Sequence, residues 1–269
     1  MRIFAINLEA SGERRLFMER QFAALGMAAE FFPAVDGRRL TEDVVGQLSD
    51  RKWFRRYVGR DMTRADLGCS LSHLQVYRKI VREQIPCALI LEDDAWLTPS
   101  IKQIVEALEG DLQQLPVDVV LLSECITAAG TIWNKGLYFL SPVKHAYFGH
   151  AYVMTLRGAN ILTRHLYPIR HQADAWNWLL KHRLVRVAAI HPVMATQNQE
   201  MLESTNLGRQ GGAVSPYSRS WWLRKLWRAC WRLHDTCVPL RWHHGQAKTV
   251  MEEAIQECVD GSGARTGKR

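Results

Sequence analysis

Three consecutive carboxylates, Glu92, Asp93 and Asp94, end the apolar run of LILEDDA (89–95). An uninterrupted Leu/Ile run reads as a buried strand, and carboxylates at its end concentrate negative charge at the rim of a sheet, where α/β proteins bind ligands. Adjacent carboxylates repel one another, and an oxygen-seeking cation such as Mn²⁺ or Mg²⁺ relieves that repulsion. The plain alternative is a solvated turn that also N-caps the next helix. Glu124 closes a second apolar run, VDVVLLSE (117–124), and a parallel sheet would bring it to the same rim. His191 ends a third, LVRVAAIHP (184–192), as either an extra metal ligand or a packed histidine.

The elements that must position these groups alternate. RIFAINL (2–8) reads as a first buried strand, Ser11 as an N-cap, residues 12–25 as a helix closed by Gly26, and AEFFPAV (29–35) as a second strand ending at the Asp36-Gly37 turn. Arg14 and Arg15 sit in the first turn of that helix, where the amide dipoles already present positive charge; the misfit favours an anion nearby, although ordinary surface charges fit too. Residues 41–60 read as helix and loop. Thr63 to Asp66 has the form of a capping box that opens a helix to about Glu83, with Leu67, Leu71, Leu74, Tyr77 or Val76, Ile80 and Val81 along one apolar face. Ser72 and His73 lie within it, and a lone histidine there is more often packed than ligating. Further helices are expected at about 99–108, 157–166 and 173–182, and GHAYVMT (149–155) is another strand. The fold class is α/β, a mostly parallel sheet with helices on both faces.

The length of 269 residues suffices for one large α/β domain with an extension, and 47% hydrophobic and 23% charged residues are ordinary for a chain with a sizeable core. The first strand starts at Arg2, which leaves no room for a signal peptide, and no run of eighteen apolar residues occurs; a cytoplasmic protein is expected. Six cysteines show no CxxC pair or zinc-type spacing and read as reduced, mostly structural thiols. The formal charge of +8 is concentrated in residues 209–241, where seven Arg/Lys face one acid, Asp235.

Several motifs in order and spacing, INL followed by Glu13-Arg14-Arg15, AVDG (34–37), DLGCSLSH (66–73), LILEDDA and HQAD (171–174), resemble glycosyltransferase family 25, the lipooligosaccharide galactosyltransferase family. The resemblance runs from about residue 2 to Gln197. It implies a GT-A fold, a UDP-sugar donor, typically UDP-galactose, a divalent metal, and inverting transfer onto bacterial lipopolysaccharide at the cytoplasmic face of the inner membrane. By the same resemblance, Asn7, Arg15 or Arg14, and Asp36 fall in nucleotide-end motifs, Ser72 and His73 match a Ser-His pair, and Glu92-Asp93-Asp94 match the acidic motif. Asp174 matches the Asp of a Pro-Val-Asp pattern, although Gln172-Ala173 stand in place of Pro-Val. A metal held by carboxylates suits the diphosphate that leaves, with Asp94 the first choice of ligand and Glu92 or Asp93 for a second position or the ribose. Inversion needs one general base, Asp174 by preference and Glu124 as the rival. Asp36 in its Asp-Gly turn, and Asp174 as an N-cap, have ordinary structural readings as well. Trp133, Tyr147, Trp176 and Trp178 are either core or stacking surfaces for an acceptor sugar.

Three segments are expected: a catalytic domain over 1–208, a basic Trp-rich helical extension over 209–260 and a disordered tail over 261–269. In the extension, Trp222, Leu223, Leu226, Trp227, Cys230 and Leu233 share one helical side and Arg224, Lys225, Arg228 and Arg232 the other. This composition suits residues 219–232 to an anionic membrane surface bearing a lipid-linked acceptor, or to docking on the domain itself. No nucleic acid is expected, since the basic charge is confined to that segment rather than spread over a folded face. A catalytically silent membrane-bound scaffold of the same fold is the other rival, separable by UDP release with and without Mn²⁺.

Overall fold

The computed structural model describes residues 1–198. The basic extension, the tail, the 208/209 boundary and the membrane-facing helix at 219–232 lie outside the described residues. In chain order the elements are β1 (Arg2–Asn7), α1 (Gly12–Leu25), β2 (Glu30–Pro33), α2 (Glu42–Leu48), α3 (Arg51–Val58), α4 (Arg64–Arg82), β3 (Cys87–Glu92), β4 (Ala95–Leu97), α5 (Ile101–Asp111), β5 (Val119–Leu121), β6 (Ile126–Thr127), β7 (Trp133–Asn134), β8 (Phe139–His145), β9 (Ala151–Thr155), α6 (Leu156–His165), α7 (Trp176–Lys181), β10 (Val187–His191) and β11 (Ala195–Gln197).

The main sheet runs β2-β1-β3-β9-β5-β10-β8-β6, with β7 on β8. β2, β1, β3, β5 and β10 point the same way, and their C-terminal ends share one rim. The sheet is nevertheless mixed: β9 lies antiparallel between β3 and β5, and β8 is antiparallel to β10. GHAYVMT is thus a strand, but reversed. A continuous apolar run is buried on both faces and carries no mark of its direction, which depends on how the chain enters it.

Alternate strand residues face two helical layers. Phe4, Ile6, Ala88 and Ile90 pack with residues of α2, α3, α4, α6 and α7, whereas Ile3, Ala5, Leu89 and Leu91 pack with Met18 and Phe22 of α1 and Ile101, Ile104 and Leu108 of α5. Each fully buried Leu, Ile, Phe or Met among them contributes about 1.5–3 kcal/mol, so both cores anchor the strands that form the rim. Helix α4 starts with the expected capping box, Thr63 and Asp66 each bonding the other's backbone N–H. Helix α1 ends at Gly26, φ 59°, but Ser11 makes no side-chain cap. No described helix is long and apolar enough to cross a membrane.

Two motifs far apart in sequence meet in a backbone contact. A Cβ on Gly37 would collide with the Arg64 carbonyl, and one on Gly68 would stand 2.6 Å from the Val35 carbonyl oxygen and 2.8 Å from the Gly37 nitrogen. Ser72 completes the junction: its hydroxyl accepts from the Val35 N–H (2.9 Å) and donates to the Gly68 carbonyl (2.7 Å). Ser72 is therefore spent on joining AVDG to α4. Asp36 accepts from Arg38 through both carboxylate oxygens (2.8 and 2.7 Å) and from its N–H, which holds its carboxyl below the ordinary range and realises the turn reading.

Candidate active site

The register Ile6↔Glu92 between β1 and β3 sets Asn7 beside Asp93. Asn7 donates from Nδ2 to Asp93 Oδ2 (2.8 Å), and Arg14 from Nη1 to Asp93 Oδ1 (2.7 Å), so both oxygens of this buried carboxylate are occupied. Arg14 also approaches Asp94 Oδ2, at 3.7 Å. The cation near the helix start thus has its anion in the acidic motif. Arg15 turns away: its guanidinium pairs with Glu19 (2.9 Å) and lies over the Phe31 ring.

Asp94 is 3% exposed and less well served. Gln197 donates to its Oδ2 (3.2 Å), placed there by the β4/β11 register Ala95↔Gln197, while Oδ1 is buried with no hydrogen-bond partner among the described residues. Burial, and then the charge of Glu92, push its carboxyl up to about 6 against the pull of Arg14 and Gln197. A buried carboxylate with one open oxygen beside a second acid is a charge awaiting a counter-charge.

Glu92 belongs to a different network. Its backbone N–H bonds the His150 carbonyl (2.9 Å), and its Oε1 faces His73 Nε2 at 3.1 Å. His73 Nδ1 meets the Tyr152 hydroxyl at 2.6 Å, and Tyr152 meets the Tyr77 hydroxyl at 2.6 Å. Burial holds both phenols protonated. Although burial alone would raise the Glu92 carboxyl, the His73 hydrogen bond and nearby positive charge bring it below the ordinary range. His73 is therefore a bridge between the acidic motif and the core.

Asp174 arrives from the other side. Ser70 donates to the His171 carbonyl (3.1 Å) and Gln172 to Asp66 Oδ1 (3.3 Å), so the HQAD turn is tied to the start of α4, and Gln172, the residue that departs from Pro-Val, makes one of the ties. A Cβ on Gly149 would lie 3.1 Å from the Asp174 Cβ and 3.7 Å from Glu92 Oε1, so the bare glycine allows the Asp174 turn to close on Glu92. Asp174 is not the N-cap of α7; Ala175 occupies that position without a side-chain bond. Asp174 lines a cavity of about 250 Å³ with Tyr57, Tyr147, His171, Asn177 and Trp178 among its walls. His171 is buried, and both of its ring nitrogens lack hydrogen-bond partners among the described residues; burial drives its pKa down to about 3.

Two rim residues stand apart. Glu124, three residues past the end of β5, is exposed and makes no hydrogen bond or ion pair among the described residues. Among the described residues His191 stacks on Phe139 (centroids 4.6 Å), its buried Nε2 has no hydrogen-bond partner, and it does not join Asp94 and Glu92 in a three-ligand cluster. Of the aromatics, Trp176 is core, bonded to the Phe148 carbonyl, and Trp133 bonds Asp111; Tyr147 and Trp178 reach the cavity. Sequence reasoning missed Gly149, His150, Tyr152 and Gln197. The chain adjoining β9 carries only the dipeptide Gly149-His150 as a signal, and Gln197 carries none.

A family profile described as glycosyltransferase family 25 (LPS biosynthesis protein) matches residues 1–176, a span that takes in every motif from Asn7 to Asp174. Among similar proteins, a glycosyltransferase 25 family member of Anopheles gambiae is 31% identical over 167 residues, covering 60% of this chain. Procollagen galactosyltransferase 1 of Danio rerio is 29% identical over 169 residues, and a probable inactive glycosyltransferase 25 family member 3 of Bos taurus 28% over 166, each over 60% of this chain. The matched segment spans 28% of the length of each of these three relatives. With nearly two thirds of its residues under the family profile, the chain belongs to glycosyltransferase family 25.

Proposed function

We propose that this protein transfers a hexose, galactose first among the candidates, from a UDP-sugar to an acceptor hydroxyl with inversion at the anomeric carbon. The observation that carries this reading is Asp94: buried at the sheet rim, beside Glu92, with one carboxylate oxygen open. Mn²⁺ or Mg²⁺ fits that donor set, with Asp94 the direct ligand and Glu92 the nearest second, since hard cations take carboxylate oxygens and the raised Asp94 carboxyl marks uncompensated charge. When bound, such an ion neutralises charge on the departing diphosphate. Asp93 then orients rather than ligates, its oxygens held by Asn7 and Arg14.

The acceptor side is the cavity beside Asp174. As the acceptor oxygen bonds to the anomeric carbon and the bond to the diphosphate breaks, the acceptor hydroxyl proton passes to the Asp174 carboxylate. Tyr147 and Trp178 offer ring faces to a sugar and Asn177 a polar edge. The acceptor is the growing, lipid-linked oligosaccharide of bacterial lipopolysaccharide, in keeping with the family description and with a basic extension suited to the cytoplasmic leaflet of an inner membrane. The collagen-directed name of the zebrafish relative supports a protein-borne hydroxyl as the second acceptor, and the inactive bovine relative keeps a silent member of the fold in contention.

The test is UDP release from UDP-galactose and UDP-glucose, with and without Mn²⁺, followed by acceptor screening. Metal-dependent release with UDP-galactose is expected. Absence of turnover with every donor would overturn the transferase reading in favour of the silent member.

A further inference from the structure

Cys69 and His73 lie one helical turn apart on α4, and Glu92 comes up to them from the end of β3. Cys69 Sγ, a ring nitrogen of His73 and a carboxylate oxygen of Glu92 all lie within 4.8 Å of one another, the sole such group of three among the described residues. Asp94 is not a member, and Glu92, which has two carboxylate oxygens, is the one residue shared with the acidic motif. The chemistry differs from that of the acidic motif, because a thiolate and an imidazole select a borderline ion over Mn²⁺ or Mg²⁺. We propose that Cys69, His73 and Glu92 form a second metal site, one that takes zinc-class divalent ions.

Three features support it. Tetrahedral zinc with sulfur, nitrogen and oxygen ligands sets those atoms roughly 3.3–3.6 Å apart. His73 and Glu92 already stand at 3.1 Å, and the Cys69 sulfur lies within 4.8 Å of both ligand atoms. The ring of His73 is also fixed from behind, since its Nδ1 meets the Tyr152 hydroxyl, which Tyr77 holds in turn. An outer hydrogen bond of this kind orients ligating histidines. Finally, Cys69 is exposed while Gly68, Ser70, Ser72 and His73 around it are buried, so an ion has an entry path.

In the bound state the Nε2 lone pair goes to the metal and the ring keeps one proton, on Nδ1, facing the Tyr152 hydroxyl. The Cys69 thiol gives up its proton to solvent, one per ion. Three protein ligands leave a fourth position for water or a ligand atom.

The full reduced chain, stripped of metal, would be titrated with Co²⁺ and, in competition, with Zn²⁺. Expected are one thiolate-bound Co²⁺ per chain, seen as a near-ultraviolet thiolate-to-cobalt absorption that Zn²⁺ erases, loss of that absorption in Cys69→Ser, and its retention in Asp94→Asn. No absorption in the wild type, or undiminished absorption in Cys69→Ser, would overturn the site. Loss in Asp94→Asn would assign the ion to the acidic motif instead. None of these readouts needs turnover, so failure here and failure of the transferase reading are separate results.

Discussion

Asp93 and Asp94 are neighbours in sequence and both are buried, yet the two sides of the acidic turn have opposite character. Toward β1 and α1, each Asp93 oxygen has a hydrogen-bond partner, Asn7 or Arg14. Toward β9 and β11, Asp94 keeps an open oxygen, Glu92 faces His73, and Asp174 closes in across Gly149. A satisfied carboxylate shapes a site, whereas an unsatisfied one has capacity left to bind. The number of acids in the motif matters less than which of them the fold leaves incomplete.

The contrast can be broken at Asp94 first. Asp94→Asn should lower metal-dependent transfer by on the order of 10²- to 10³-fold, as loss of transition-state charge stabilisation does; wild-type turnover in steady-state assays would move the role to another side chain. Asp174→Asn should cost on the order of 10²-fold in kcat with UDP affinity kept. A change confined to KM would remove it as the base.

Stability separates the two carboxylates without any turnover. The Asp94 carboxyl is raised in the fold to about 6, above its unfolded value of about 3.9, so the penalty for ionising it is complete above about pH 6 and gone below about pH 4. Asp94→Asn should therefore be more stable than the wild type at pH 7, by on the order of 1–3 kcal/mol, and the gap should close as pH falls to about 4. Thermal melts across that window check the sign, and a gap that widens on acidification would refute it. Gly149→Ala should slow transfer about 3- to 10-fold with the fold retained, because the added methyl displaces Asp174 by a few tenths of an ångström. Glu124→Gln, at the exposed position beyond β5, should leave kcat/KM within about twofold of wild type; a larger loss would return it to the site.

Much of the framework was legible because local signals agreed with the tertiary outcome. The capping box at Thr63 and the Gly26 terminus are backbone chemistry that needs no partner. The strand-end carboxylates were found for the same reason, since a run such as CALILE stops abruptly at charge. Direction was not legible at β9, nor was the strand β8, whose FLSPVKH mixes polar residues and Pro142 into an outer position of the sheet. At the site, residue type identified candidates but not their occupation. Arg14 and Arg15 are adjacent and identical, and only the helix phase sends one to Asp93 and the other over Phe31. Cys69 reads as one more structural thiol until α4 and β3 bring it to His73 and Glu92. Glu124 was expected at the rim and is there, but its exposure sets it apart from the buried Asp93 and Asp94.

The junction of Gly37 with Gly68 has a genetic consequence. Each lacks a side chain because the opposing backbone fills the space, and backbone cannot be shortened by mutation. A substitution at either position therefore has no second-site suppressor at the other, which is already the smallest residue. Random mutagenesis with selection for revertants should recover only true reversion to glycine at these two codons, while lesions at Ser72, whose contacts are single hydrogen bonds, remain open to compensation elsewhere.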